Sequence, residues 1–336
     1  MAYASRHSYY LVGAIAGFLQ VLAGWWSAYS HLLFDSVDPC WNPAHLTLYA
    51  AVATSVFAIW KGLRISKPQP PLSVSPIQFV NVAGLKLAGF GCLVEVVAGV
   101  WNGVVHHMFL KEPCVAPANA LLAVGMLTVN LGMAIGLTIE YGMIRRSLII
   151  VSRTARWITA LCVLLSFSAI WLAVSGAFIH VGRVYRSFPL NTAAAVLMAL
   201  MGTLVLVCVK RVMPKLGSGF VIGGLFNLVA YFFLVVYAGV APYVPWGLLP
   251  LFLFDLFAYA LGRLVRFTKG LVLSSLVLGV LFWAVYFPFT IFLFPWSSSF
   301  QLPVVAVIAG SVVGAWLGNR VYTALSSVVL GDVPSV

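Results

Sequence analysis

The chain has 336 residues, of which 62% are hydrophobic and only 8% charged. So few charges cannot clothe a water-soluble protein of this size, which excludes a soluble enzyme or binding domain. The net charge is +12, but no clustered basic face accompanies it, so nothing points to a nucleic-acid partner.

Taken in chain order, ten apolar stretches are candidates to cross a bilayer, at roughly 9–29, 45–61, 79–105, 118–143, 157–181, 191–210, 218–240, 246–262, 270–290 and 302–324. A span needs about 20 apolar residues. Lipid offers no partner for backbone N–H and C=O groups, so such spans are helices. The short alternating strands of a barrel are absent. The predicted fold is an all-α, polytopic integral membrane bundle of about ten transmembrane helices. It is built from five helical hairpins and forms one transmembrane domain over 1–336.

The segment Met1–Tyr10 is short and weakly basic, with no small-residue cleavage site, so the first span is expected to remain as an anchor. The first hairpin carries Trp26, Ser27, His31, Phe34, Asp38-Pro39-Cys40 and Pro43-Ala44-His45. A Pro-rich connection, Lys67–Pro76, follows and is too short to be a domain. The second hairpin repeats the pattern about 75 residues later, with one residue fewer in the loop: Trp101, Asn102, His106, Phe109, Glu112-Pro113-Cys114 and Pro117-Ala118-Asn119. A fainter third copy has His180, Pro189 and Asn191. These repeats run parallel, unlike the inverted repeats of many secondary transporters.

Of the 19 Lys and Arg, fifteen fall at the N-terminus or in every second connection, whereas the opposite loops hold only Lys111, Arg183 and Arg186. The positive-inside rule places both termini in the cytoplasm of a cell's plasma membrane. Trp25, Trp26, Trp41, Trp101, Trp246 and Trp296 are expected at the outer interface, and Trp60, Trp157 and Tyr322 at the inner one.

Gly13, Gly17, Gln20, Gly24, Ser27 and His31 recur at helical spacing in the first span. Ala88, Gly91, Glu95, Gly99, Asn102 and His106 do so in the third. Small residues at this spacing are a membrane packing device. A plain helix–helix seam explains the glycines, and accounts less well for Glu95 and His106 on the same stripe. His31, His45, His106, His107 and His180 all fall at outer helix ends or adjoining loops. Imidazoles there either ligate a transition metal or haem iron, or cap helices and bond loop carbonyls. On the first alternative His31, His45, His106, His107 and Glu112 are the metal set, and His31, His106 and His180 the cofactor-binding set. Asp35 and Asp38 stand nearby. His31 and His106, being equivalent, are expected to face each other. Cys40 and Cys114 occupy equivalent loops and form a disulfide on one reading, free thiols or a thiolate ligand on others.

Glu95 and Asp255 fall near the middle of the third and eighth spans. Intramembrane charges face the bundle interior and are functional candidates by default. They either carry protons or bind an ion, or form a structural pair, such as Lys86 with Asp255. Gln20 is the repeat equivalent of Glu95, and Asn130 and Asn227 add polar atoms. Glu140 is expected to pair with Arg145 or Arg146.

The spacings Asn102-x3-His106-x12-Asn119 and Ser27-x3-His31-x13-His45 resemble the Asp-x3-His-x12-His hairpin of copper membrane monooxygenase subunits. The resemblance is confined to these stretches. Asn or Ser stands at the Asp position, Asn119 at one final His, and one spacing is a residue longer. It implies copper at the repeated hairpins.

These features lead to the expectation of an integral membrane subunit of a redox or respiratory-type complex. A metal, haem or quinone site would lie near the outer face, with Glu95 and Asp255 assisting proton movement. With no large extramembrane domain, electrons would enter through partner subunits. The alternatives are a small-solute or ion transporter using the same acids, and a cofactor-free membrane anchor for a partner enzyme. No phosphate loop, nucleophile elbow or His-Glu-x-x-His motif is present.

Overall fold

A computed structural model describes residues 2–34, 42–65, 76–109, 117–146, 150–185, 188–233, 248–264, 269–280 and 304–331. Among them are ten helices and no strand. In order they are α1 (Ala2–Phe34), α2 (Pro43–Ile65), α3 (Pro76–Phe109), α4 (Pro117–Arg145), α5 (Arg153–Tyr185), α6 (Phe188–Val212), α7 (Ser218–Tyr231), α8 (Leu248–Leu264), α9 (Lys269–Val280) and α10 (Val304–Gly331). Among the described residues six helices are long and apolar enough to cross a membrane: His7–Ala28, Pro43–Ile65, Val82–Val105, Pro117–Arg145, Arg153–Ser175 and Val305–Ser327. Three shorter apolar helices, Ser218–Val229, Leu251–Gly262 and Lys269–Val280, coincide with the seventh to ninth expected spans. Residues 234–247 and 281–303, which include the rest of those spans, lie outside the described residues. The architecture is consistent with a helical membrane bundle.

The helices gather into two compact units, Met1–Ala173 with Ala324–Val336, and Val174–Thr323. In the first, α1 packs on α2, α2 on α3, α3 on α4, and α4 returns to α1. This is a four-helix ring of successive antiparallel neighbours. Small residues bring its backbones together. A Cβ on Gly91 of α3 would stand 2.6 Å from the Val129 backbone nitrogen of α4, and one on Gly132 would collide with the Gly84 carbonyl. Gly13, Gly17 and Gly24 of α1 are covered by Met133, Asn130 and Met126 of α4. The glycines of the α1 stripe are therefore seam positions.

Helix α2 starts where the chain supplies a cap. Asn42 Oδ1 accepts from the His45 backbone N–H at 2.9 Å, and Pro43 occupies the first helical position, where no N–H is missed. Trp60, Trp101 and Trp157 are exposed. Trp25 is not. It is buried, and its indole N–H donates to the Leu172 carbonyl of α5 at 3.0 Å. Residue 25 points into the bundle, and a buried indole must find an acceptor.

In the second unit α6 packs on α7 and α7 on α8. Gly310, Gly314 and Gly318 of α10 lie against the carbonyls of Val196, Leu200 and Leu204 of α6. This four-residue period lets the two backbones approach within a side chain's thickness. The Cys208 thiol of α6 donates to the Gly318 carbonyl at 3.3 Å.

Candidate functional site

Glu95 sits on α3 in the seam with α4, and its residue is 2% exposed. Its side chain runs beside Gly125, where a Cβ would stand 2.5 Å from Glu95 Cγ. The glycine makes room for the acid. Among the described residues neither carboxyl oxygen has a hydrogen-bond partner. An ionised carboxylate without a partner in an apolar interior is costly by several kcal/mol, so this site suits a carboxylic acid or a carboxylate with a bound cation. About two turns further along α3, Asn102 Oδ1 is also buried and without a partner among the described residues. Gln20 and Asn130 are fully buried in the same four-helix ring. Gln20 Nε2 donates to Ser55 Oγ of α2 at 3.0 Å. Asn130 Nδ2 donates to the carbonyls of Gly17, at 3.1 Å, and Met126, at 2.9 Å. The oxygens Gln20 Oε1 and Asn130 Oδ1 have no partner among the described residues.

The histidines divide into two groups. His31, His106 and His107 stand within the final turn of α1 and α3, and His180 lies five residues before the end of α5. Their side chains, with Asp35, Asp38, Glu112, Cys40 and Cys114, lie outside the described residues. The antiparallel ring brings the ends of α1 and α3 to one side, where α2 and α4 begin. His45, at that end of α2, is buried, and its Nε2 shares a 2.8 Å hydrogen bond with Ser27 Oγ of α1. Its ring stacks on Tyr49 with centroids 6.2 Å apart. Among the described residues no group of three His, Cys, Asp or Glu side chains is placed to hold a metal ion.

A second polar centre was not legible in the sequence. At the opposite end of the ring, His7 Nδ1 of α1 and Glu140 Oε2 of α4 lie 2.5 Å apart. His7 Nε2 lies 3.1 Å from Thr159 Oγ1 of α5. All three residues are buried. Thr159 has one hydroxyl proton, and its oxygen is 2.7 Å from the Ala155 carbonyl, which can only accept. That proton therefore goes to Ala155, and His7 Nε2 must donate to Thr159. The short Nδ1–Oε2 contact then holds a single proton, either on an imidazolium facing a carboxylate or on a carboxylic acid facing a neutral imidazole. Arg145 and Arg146 are exposed, and a buried partner of Glu140, His7, is 133 residues away in sequence. No local spacing signals a partner at that separation.

Asp255 belongs to the second unit and is not an orphan. Its carboxylate pairs with Lys210 of α6 and accepts from the Gly217 backbone N–H. Lys210 Nζ also donates to the Lys215 carbonyl at 2.7 Å. Gly217 has φ 96°, a left-handed conformation that glycine adopts without strain. The pair thus clamps the α6–α7 turn onto α8. The expected structural partner, Lys86, is instead exposed on α3. Lys210 lies among cationic residues at a helix end, and its burial could not be read from sequence.

No protein-family model, curated protein or solved structure matches this chain.

Proposed function

We propose that the chain is an integral membrane subunit of a redox or respiratory-type complex, in which the α1–α4 ring carries a proton-binding carboxyl beside a redox site. On this reading ten spans form five hairpins, the first two are repeats, and both termini are cytoplasmic in the plasma membrane. His31, His106, His107 and Glu112 supply donors for copper or haem near the outer face. Imidazole is the right donor for either, and α1 and α3 end on one side of their ring. Such a centre, or a quinone, supplies one-electron chemistry. Partner subunits deliver the electrons.

The observation that carries this reading is Glu95, buried and unpartnered in a span. The repeat supplies an internal control. Offsets of 75 residues before the loop and 74 after it pair Gln20 with Glu95 and Ser55 with Val129. In the first hairpin the two polar residues meet in a hydrogen bond from Gln20 Nε2 to Ser55 Oγ. In the second an acid replaces the amide and valine replaces the hydroxyl. A packing role does not require an acid at that place, whereas proton binding does. Tyr10 covers Gly136 and Leu85 covers Gly62, where an added Cβ would stand 3.0 Å from Leu85 Cδ1; these are equivalent positions and support a two-fold relation of the hairpins.

The test is an absorption spectrum with elemental analysis of the purified protein. A haem Soret band or stoichiometric copper, lost when His31 and His106 are both replaced by Ala, is the expected result. A featureless, metal-free preparation that moves protons with a solute in vesicles would select the transporter instead.

A further inference from the structure

We propose that the α2–α3 seam, at the end where α2 finishes, is a binding seat for one anionic phospholipid, whose phosphate is held by Lys61, Arg64 and Lys86. The inference depends only on a bilayer setting and not on the redox reading. The two helices set these cations at one height. A Cβ on Gly62 of α2 would stand 3.0 Å from Leu85 Cδ1 of α3, and one on Gly89 of α3 3.4 Å from Ile59 Cγ2 of α2. This antiparallel register puts Lys61 level with Lys86, and Arg64 about 4.5 Å beyond, less than one turn. Arg64 and Lys86 are exposed and Lys61 is half-buried. None of the three is in an ion pair among the described residues. Of the acids described in the ring, Glu140 is buried against His7, and Glu95 lies further along α3 in the seam with α4.

Aromatic rings hold the α2 cations in place. Arg64 Cζ lies 4.1 Å from the centre of the Trp60 ring, and Lys61 Nζ lies 5.0 Å from that ring and 5.6 Å from the Phe57 ring. Such contacts orient a cation through the ring face and leave N–H donors for phosphate oxygens. The surface beside the cations selects a lipid over a soluble anion or an acidic protein. On α3 the exposed stripe Lys86, Phe90, Leu93 and Val97 runs from charge into hydrocarbon at helical spacing. On α2 Arg64, Trp60, Phe57 and Ala53 form a second exposed stripe of the same kind. A phosphate at the cations places acyl chains along Phe57 and Phe90, so both halves of a phospholipid meet a matching surface. Basic sites between membrane helices take anionic headgroups in this way.

The experiment is native mass spectrometry of the full-length protein in detergent, titrated with dioleoyl phosphatidylglycerol or dioleoyl phosphatidylcholine. One phosphatidylglycerol should be retained in preference to phosphatidylcholine. Its affinity should fall about fivefold in each of Lys61→Gln, Arg64→Gln and Lys86→Gln, and about a hundredfold in the triple variant, from the usual contribution of a cation beside anionic lipid. The single variants serve if the triple one does not fold. Arg146→Gln removes an exposed cation at the same end of the ring, on α4, and should leave the affinity unchanged. Equal retention of the two lipids overturns the seat and leaves the basic face to an acidic protein partner. An unchanged affinity in the three single variants, or an equal loss in Arg146→Gln, overturns it in favour of diffuse charge attraction. Displacement of phosphatidylglycerol by an equal concentration of inorganic phosphate overturns the lipid reading, because the acyl chains would then contribute nothing.

Discussion

At the scale of single residues, the buried charges behave differently according to their partners. Lys210 and Asp255 neutralise each other and share backbone partners, so removing one leaves a buried charge uncompensated. Lys210→Ala should lower unfolding free energy by about 3–5 kcal/mol, with Lys210→Met/Asp255→Leu recovering most of it. Denaturant titration in detergent measures both. Ser55→Ala should cost about 1 kcal/mol by leaving Gln20 Nε2 without its acceptor. Glu95→Gln should leave stability within that margin, because no hydrogen bond of Glu95 is lost. The sequence identified Glu95 and Asp255 as buried acids from their position within apolar runs. It could not separate orphan from pair, since Lys210 is 45 residues from Asp255. His7 carries no sequence signal for the same reason: its partners stand on α4 and α5, not beside it in the chain.

At the scale of elements, hydropathy located the helices but not their ends. The first span, expected at 9–29, belongs to a helix running over Ala2–Phe34. Hydropathy records only the apolar centre, while a helix continues into the polar interface. The seams were legible where small residues recur. Gly310, Gly314 and Gly318 carry the same four-residue signal on α10 and meet three α6 carbonyls. A side chain at Gly314 must displace the Leu200 backbone. Gly314→Val should therefore destabilise by about 1–3 kcal/mol, the usual effect of overpacking, while Gly142→Val, with open space around it among the described residues, should be far milder. The cap at α2 predicts a loss of about 1 kcal/mol for Asn42→Ala. Thermal unfolding of the variants checks both.

At the scale of the whole molecule, two hairpins of similar sequence close a ring in which one buried polar side chain makes a hydrogen bond across the seam and its equivalent, among the described residues, makes none. Long apolar helices were legible from composition alone, and six of those described are long and apolar enough to cross a membrane. The chemistry at the histidine-bearing end was not, since ligation depends on side chains meeting across helices. The claim open to the most direct measurement is that Glu95 is a proton-binding carboxyl without a hydrogen-bond donor. The infrared difference spectrum between the protein and its Glu95→Gln variant should show one protonated carboxyl at the high-frequency position of a group free of hydrogen bonds. Val129→Ser, which restores the hydroxyl present at Ser55, should move that band to lower frequency. A spectrum showing only ionised carboxylate at Glu95, or a band unmoved by Val129→Ser, would contradict the account.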